Sequence, residues 1–179
     1  MKRKLLIVGL PLVVALASAS ADAAVRSFPH SGVGCIQAVG TQMNPDGTVS
    51  DALTNTIERT QYGVHNTSTT SPVTVECPLN VSYFGSNSPS VSGFSIKAYD
   101  RNPSSDVNCN MQRIDGNGNV SYTAALTTSN SGAGVQDVSV LPTGVTILGT
   151  WRLRCSIPAT VSGGGGFNHL VSYSISVNE

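Results

Sequence analysis

The sequence predicts an all-β protein: an antiparallel β-sandwich of about eight strands, stapled by two disulfides and placed after a cleaved N-terminal signal peptide. Three observations lead there. Apolar residues recur with period two rather than 3.6 through residues 107–177. Four cysteines, Cys35, Cys77, Cys109 and Cys155, form an even set downstream of an export signal. Turn-forming Gly, Asn, Asp and Pro clusters separate the alternating stretches.

The signal comes first in the chain. Met1-Lys2-Arg3-Lys4 is a cationic start, Leu5 to Ala17 is an apolar run, and small-x-small steps end at Ala21 and Ala23. Thirteen apolar residues make a helix of about 20 Å, short of the roughly 30 Å of a bilayer core. The expectation is a signal peptide over 1–23, a single mature domain over 24–179, no membrane span in the mature form, and a secreted protein, periplasmic or extracellular. The first cysteine lies well beyond the cut, which argues against a lipoprotein.

An oxidising compartment makes disulfides the natural state of the four cysteines. The nearest two, Cys77 and Cys109, are far apart in sequence, unlike the short C-x₂₋₄-C steps of zinc sites, so no metal is expected. Three pairings are open. Cys35–Cys77 with Cys109–Cys155 is favoured, because Cys109 and Cys155 fall on the apolar faces of their strands.

The strands follow from alternation. Val145, Ile147, Gly149, Trp151, Leu153, Cys155 and Ile157 share one face, against Thr146, Leu148, Thr150, Arg152, Arg154 and Ser156. Val171, Tyr173, Ile175 and Val177 alternate with Ser172, Ser174 and Ser176. Val107, Cys109 and Met111 form a third set, and Val120, Tyr122, Ala124 and Leu126 a fourth. Shorter strands are expected over 73–76, 79–84, 94–99 and 135–141. Strands with one apolar and one polar face belong to antiparallel sheets with a wet side. Residues 49–60 are a weak helix candidate. Asp115-Gly116-Asn117-Gly118 reads as a hairpin turn, and the glycine run within 162–166 as a loop.

Composition removes several function classes. The 156 mature residues carry seven basic and nine acidic side chains, a net charge of about −2. Seven scattered cations cannot neutralise a run of phosphates, so no nucleic acid is expected as a partner. No phosphate-binding loop, zinc-protease helix or nucleophile-elbow motif occurs, so no catalytic residue and no cofactor is assigned. Asp115, Asn117 and Asn119 have the opening spacing of a calcium loop, but Val120 and Leu126 occupy the positions where Gly and Glu are needed. Asp100 and Asp106 flank a Pro-containing loop and read as solvated acids.

Trp151 shares a face with Leu153 and Cys155 and reads as core. Tyr83, Phe84 and Tyr99 are the aromatics better placed for partial exposure. His65, in the polar run from Gly63 to Thr70, reads as a surface residue. These four are the candidate ligand surface.

Several strings together carry a resemblance: Gly63 to Thr70, Thr74-Val75-Glu76-Cys77-Pro78-Leu79, Ala98-Tyr99-Asp100-Arg101-Asn102-Pro103, Asp106-Val107-Asn108-Cys109 and Arg154-Cys155-Ser156-Ile157-Pro158. The chain resembles a group of small secreted proteins of proteobacteria, myxobacteria included, that have no assigned function. That resemblance implies a bacterial origin and a secreted, disulfide-containing β fold, and no activity. The resulting expectation is a secreted, non-catalytic binding protein or envelope component. Its partner would be a polysaccharide or another envelope protein. The alternatives are a surface or adhesion subunit that self-associates through a sheet edge, and a secreted hydrolase whose site is not recognisable.

Overall fold

The computed structural model describes residues 24–38, 42–43, 49–50, 56–81, 89–129, 134–160 and 166–178. The segment expected to be the signal peptide lies outside them. The alternating stretches become strands, and no α-helix occurs among the described residues. In chain order they are β1 (Val25–Ser31), β2 (Ile36–Gln37), β3 (Gln42–Met43), β4 (Val49–Ser50), β5 (Ile57–Thr60), β6 (Gly63–Asn66) and β7 (Val73–Leu79). The remainder are β8 (Ser90–Asp100), β9 (Asn108–Ile114), β10 (Val120–Thr127), β11 (Gly134–Val140), β12 (Thr150–Ile157) and β13 (His169–Asn178). A single 3₁₀ turn, Gly32–Gly34, follows β1.

Two antiparallel sheets face each other. The larger runs β11-β8-β13-β6-β5, with β1 also paired to β13. The smaller runs β10-β9-β12-β7-β2, and β3 and β4 pair separately. Since β8 takes one edge of β13 along its whole length, β1 and β6 share the other end to end: β1 pairs with Ser172–Asn178 and β6 with His169 and Leu170. Where they abut, Gly32 and Gly63 press their backbones on Leu170. A Cβ at either would stand 2.0 or 2.1 Å from the Leu170 carbonyl oxygen, and Gly63 has a φ of 125° besides. Only glycine fits this seam.

The inner faces supply the core. Val75, Cys77, Met111, Leu153, Cys155 and Ile157 come from the smaller sheet, and Phe94, Ile96, Leu170, Ile175 and Val177 from the larger. Trp151 is buried at the junction, its ring centroid 5.3 Å from Phe94 and 6.1 Å from Tyr122, and its indole N–H donates to the Ile147 carbonyl at 2.8 Å. Both disulfides form with the favoured pairing, Cys35–Cys77 and Cys109–Cys155. Cys109 sits directly opposite Cys155 on neighbouring strands, with Cα atoms 4.0 Å apart. Cys35 precedes the Ile36↔Glu76 pair, which places it across from Cys77. Each bridge is thus a cross-strand link within the smaller sheet.

Four expectations change in detail. Residues 145–149 are not strand: β12 starts at Thr150, after Gly149 at φ 118°, although Val145 and Ile147 stay buried. Val171 leaves the inner face because β13 bulges there: Leu170 opposes Ala98 and Ser172 opposes Lys97, so Val171 is an extra residue. One strand, β7, runs through Glu76-Cys77-Pro78 and ends at Leu79, and residues 82–84 of the strand expected over 79–84 lie outside the described residues. The helix candidate at 49–60 contributes strand at Val49–Ser50 and Ile57–Thr60, since its apolar residues lack a sustained 3.6 period.

Candidate functional site

Register turns the outer face of the larger sheet into transverse rows. Directly paired residues point the same way, and successive rows on one face lie ~7 Å apart. The first row is Ser27, Ser176 and Gly93. Next come Pro29, Ser174, Ser95 and Ser139, then Ser31, Ser172, Lys97 and Asp137. The fourth is Glu58, His65, His169, Tyr99 and Val135, drawn from β5, β6, β13, β8 and β11. Three serine-rich rows, the third shared with the Lys97–Asp137 pair, therefore end at a row of imidazole and aromatic rings.

The serine rows are nearly neutral. The Ser95 and Ser174 hydroxyls lie 2.7 Å apart, and the Ser176 hydroxyl donates to that of Ser27 at 3.2 Å. The charges there, Lys97 and Asp137, pair with each other at 3.5 Å. The outer face of the smaller sheet differs: Glu76 takes Arg152 at 3.4 Å and Arg154 at 3.8 Å, and Arg152 also donates to Gln112 at 2.9 Å.

The fourth row is packed tightly. The rings of His65 and His169 have centroids 4.8 Å apart, and Phe167 lies 4.3 Å from His65. Tyr99 meets His169 edge-on at 6.1 Å, while the Arg101 guanidinium lies 4.6 Å from the Tyr99 ring centroid and donates to its hydroxyl. Glu58 Oε2 is 3.3 Å from His65 Nε2. Neither His65 Nδ1 nor His169 Nδ1 has a hydrogen-bond partner among the described residues. Burial pushes the His65 imidazole below its ordinary value, and Glu58 offsets part of this. Burial, then His65 and Arg101, lower that of His169.

Buried side-chain hydrogen bonds fix this end of the sheet. Asn66, fully buried, donates to the carbonyls of Ser71, Ile157 and Pro158 and accepts from the Ser68 N–H. Asn168 accepts from the Arg101 N–H at 2.7 Å and donates to Ala159 at 3.3 Å, placing Phe167 and His169 on either side. Asp100 is buried too, correcting its reading as a solvated acid. It accepts from the N–H groups of Asn102 and Val107 and from the Thr128 hydroxyl, because its β8 position points inward.

Of the four candidate ligand residues, His65 and Tyr99 come together in one row. Tyr83 and Phe84 lie outside the described residues. His65 is not a surface residue: it is 1% exposed, because its β6 position lies between β5 and β13 and Phe167 covers it. The serine rows, His169, Arg101 and Phe167 were missed. Their one visible trace was the alternation of Ser172, Ser174 and Ser176 in the last strand. Asp115 caps its hairpin, accepting from the N–H groups of Asn117 and Asn119, while Gly118 takes φ 85°. Those hydrogen bonds hold its carboxyl below the usual range, and the turn is a hairpin turn instead of a calcium loop. Among the described residues no three His, Cys, Asp or Glu side chains converge as a metal cage.

No protein-family model matches the chain, and no curated protein matches it. Among solved structures, a family 6 carbohydrate-binding module aligns at 14% identity and a TM-score of 0.36, over 85% of this chain and 92% of that one. Dimeric latent PorU from Porphyromonas gingivalis aligns at 14% identity and 0.38, over 88% of this chain and 13% of PorU. The enzymatically active domain of bacteriophage CBA120 tailspike protein 4 aligns at 10% and 0.33, over 86% and 19%. These β-rich likenesses are too distant to carry a functional argument.

Proposed function

We propose that this chain is a secreted, non-catalytic binding protein of a bacterial envelope, one of the small proteobacterial proteins it resembles, and that the outer face of its larger sheet takes a neutral polysaccharide. The observation that carries the reading is the row structure. Small hydroxyl side chains offer paired donors and acceptors without charge, and they run up to a wall of aromatic and imidazole rings. Phe167, 41% exposed, provides a face on which the CH groups of a sugar ring can pack, with Tyr99 and the Arg101 stacked on it alongside. The two disulfides fit a periplasmic or extracellular setting, and no helix among the described residues is long and apolar enough to cross a membrane.

The test is co-sedimentation of the oxidised chain 24–179 with peptidoglycan and a panel of insoluble polysaccharides. Saturable, sugar-competable binding is expected. Tyr99→Ala should weaken it about tenfold, a change of roughly 1.4 kcal/mol, and Ser174→Arg should abolish it by placing a long charged side chain among the serines. Absence of binding to every polysaccharide, or binding indifferent to both substitutions, would sink the proposal.

A second reading rests on the edge of the same sheet. β11 carries no further strand on its outer side among the described residues, and it leaves Val135 57% exposed. An unpaired edge of that kind invites a second copy. Sedimentation velocity across a concentration series separates the two: a species that grows with concentration, and that Val135→Lys returns to monomer, supports self-association.

A further inference from the structure

Acid has a defined point of attack in this fold. The β5–β6 hairpin joins the larger sheet through two register pairs only, His65↔His169 and Val64↔Leu170. The neighbouring junctions β1–β13 and β11–β8 each have seven. One of the hairpin's two pairs is thus a pair of histidines, with ring centroids 4.8 Å apart and their Nδ1 atoms unpartnered among the described residues. Among the described residues, little around them could stabilise a second positive charge. β5 brings Glu58, which is exposed and near His65 only. β8 brings Tyr99, and Arg101 just beyond its end adds a cation. Lys97, in the adjacent row, is already paired with Asp137 of β11. The segment of Phe167 and Asn168 and the 3₁₀ turn bring no titratable group.

We infer that the His65–His169 pair is an acid-operated latch: neutral, it packs the β5–β6 hairpin and Phe167 onto β13, and on protonation its mutual repulsion beside Arg101 opens that hairpin while the rest of the sandwich stays folded. The sign follows from burial. The closed row resists protons, as the lowered values of both imidazoles reflect. The opened chain takes them up near the ordinary value of 6.5. Above about pH 6.5 both forms are neutral and the latch is fully closed. As pH falls below that value the opened form binds more protons, and opening becomes easier. The hairpin is the unit that opens because its ladder to the sheet is the shortest. Asn66, next to His65 on β6, still donates to Ile157 and Pro158, and Arg59 of β5 to Cys35, so the hairpin swings and does not detach. The inference is independent of what the face binds.

Amide hydrogen exchange on the oxidised chain at pH 7.5 and pH 5.5, corrected for intrinsic rates, reads the latch directly. Protection at Val64, which faces Leu170 of β13, should fall at least tenfold between the two, while Ile96 of β8 and Met111 of β9 change by less than twofold. His169→Gln removes one of the two charges and should cut the fall at least threefold. His30→Gln removes a histidine that is lowered by burial elsewhere, against Tyr173, and should leave the fall intact. If His169→Gln does not fold, side-chain NMR of the wild type decides: the two imidazoles should titrate as a coupled pair below pH 6.5. Hairpin protection that stays constant, a loss shared equally by Met111, or two independent titrations at the ordinary value would each overturn the inference.

Discussion

The two sheets share one core and are held together by different means. The smaller sheet carries both disulfides on its inner face and an Arg–Glu–Arg ladder on its outer one. The larger has no covalent cross-link; buried Asn66, Asn168 and Asp100 fasten one of its ends. Its outer face carries the serine rows and the histidine pair. Covalent constraint and the candidate binding surface therefore sit on opposite layers. A rigid, stapled layer can support a partner layer whose end is free to respond to its surroundings.

The largest effect should come from the staple. Cys109→Ala with Cys155→Ala opens a loop of 46 residues, and the loop-closure account alone puts the loss at about 4 kcal/mol. Guanidinium denaturation should show a much lower midpoint. Trp151 fluorescence and the histidine NMR signals should move together, because the two sheets share one core. If they separate, the layers are independent units and the comparison changes. Asn66→Ala comes next. It strands three carbonyls that now accept from one buried side chain, for a cost of about 2 to 3 kcal/mol. The loss should fall on the hairpin: exchange at Val64 should accelerate more than at Met111. Smallest is Glu76→Gln. It breaks the ladder between side chains that are roughly one-third to one-half exposed, and such surface pairs contribute about 0.5 kcal/mol, weakened further by salt. A loss above about 1.5 kcal/mol would show that the stapled sheet depends on its charges as well.

The smaller sheet was the more legible of the two. Its alternation placed Cys109, Trp151, Leu153 and Cys155 on inward faces from local pattern alone, and a cross-strand disulfide follows once two inward cysteines lie on neighbouring strands. The larger sheet hid more. The bulge at Val171 escapes notice because an apolar residue there continues the apparent alternation while the backbone has shifted by one. His65 looked exposed because its neighbours in sequence are polar; its burial comes from β5, β13 and Phe167, which no local window contains. The same holds for the fourth row, whose five members come from five strands and meet only through register. Asp100 looked like a loop acid because its strand ends there, and only the donors at Asn102, Val107 and Thr128 reveal its inward direction.

The position of β13 also bears on how the molecule reaches this state. It is the last strand in chain order among the described residues, yet it lies at the centre of the larger sheet, with β8 on one side and β1 and β6 on the other. During vectorial emergence of the chain, β1 must wait without a partner strand, and β6 and β8 with β5 and β11 alone, until residues 169–178 are present. The smaller sheet has no such dependence, since β7, β9 and β12 are complete by Ile157. Its disulfides can close while the other layer is still an open template. Assembly then runs from the stapled layer to the unstapled one, and the rate of the final step is set by pairing over long sequence distances. A chain cut short by ten residues would keep both bridges and lose the sheet that carries the candidate binding face.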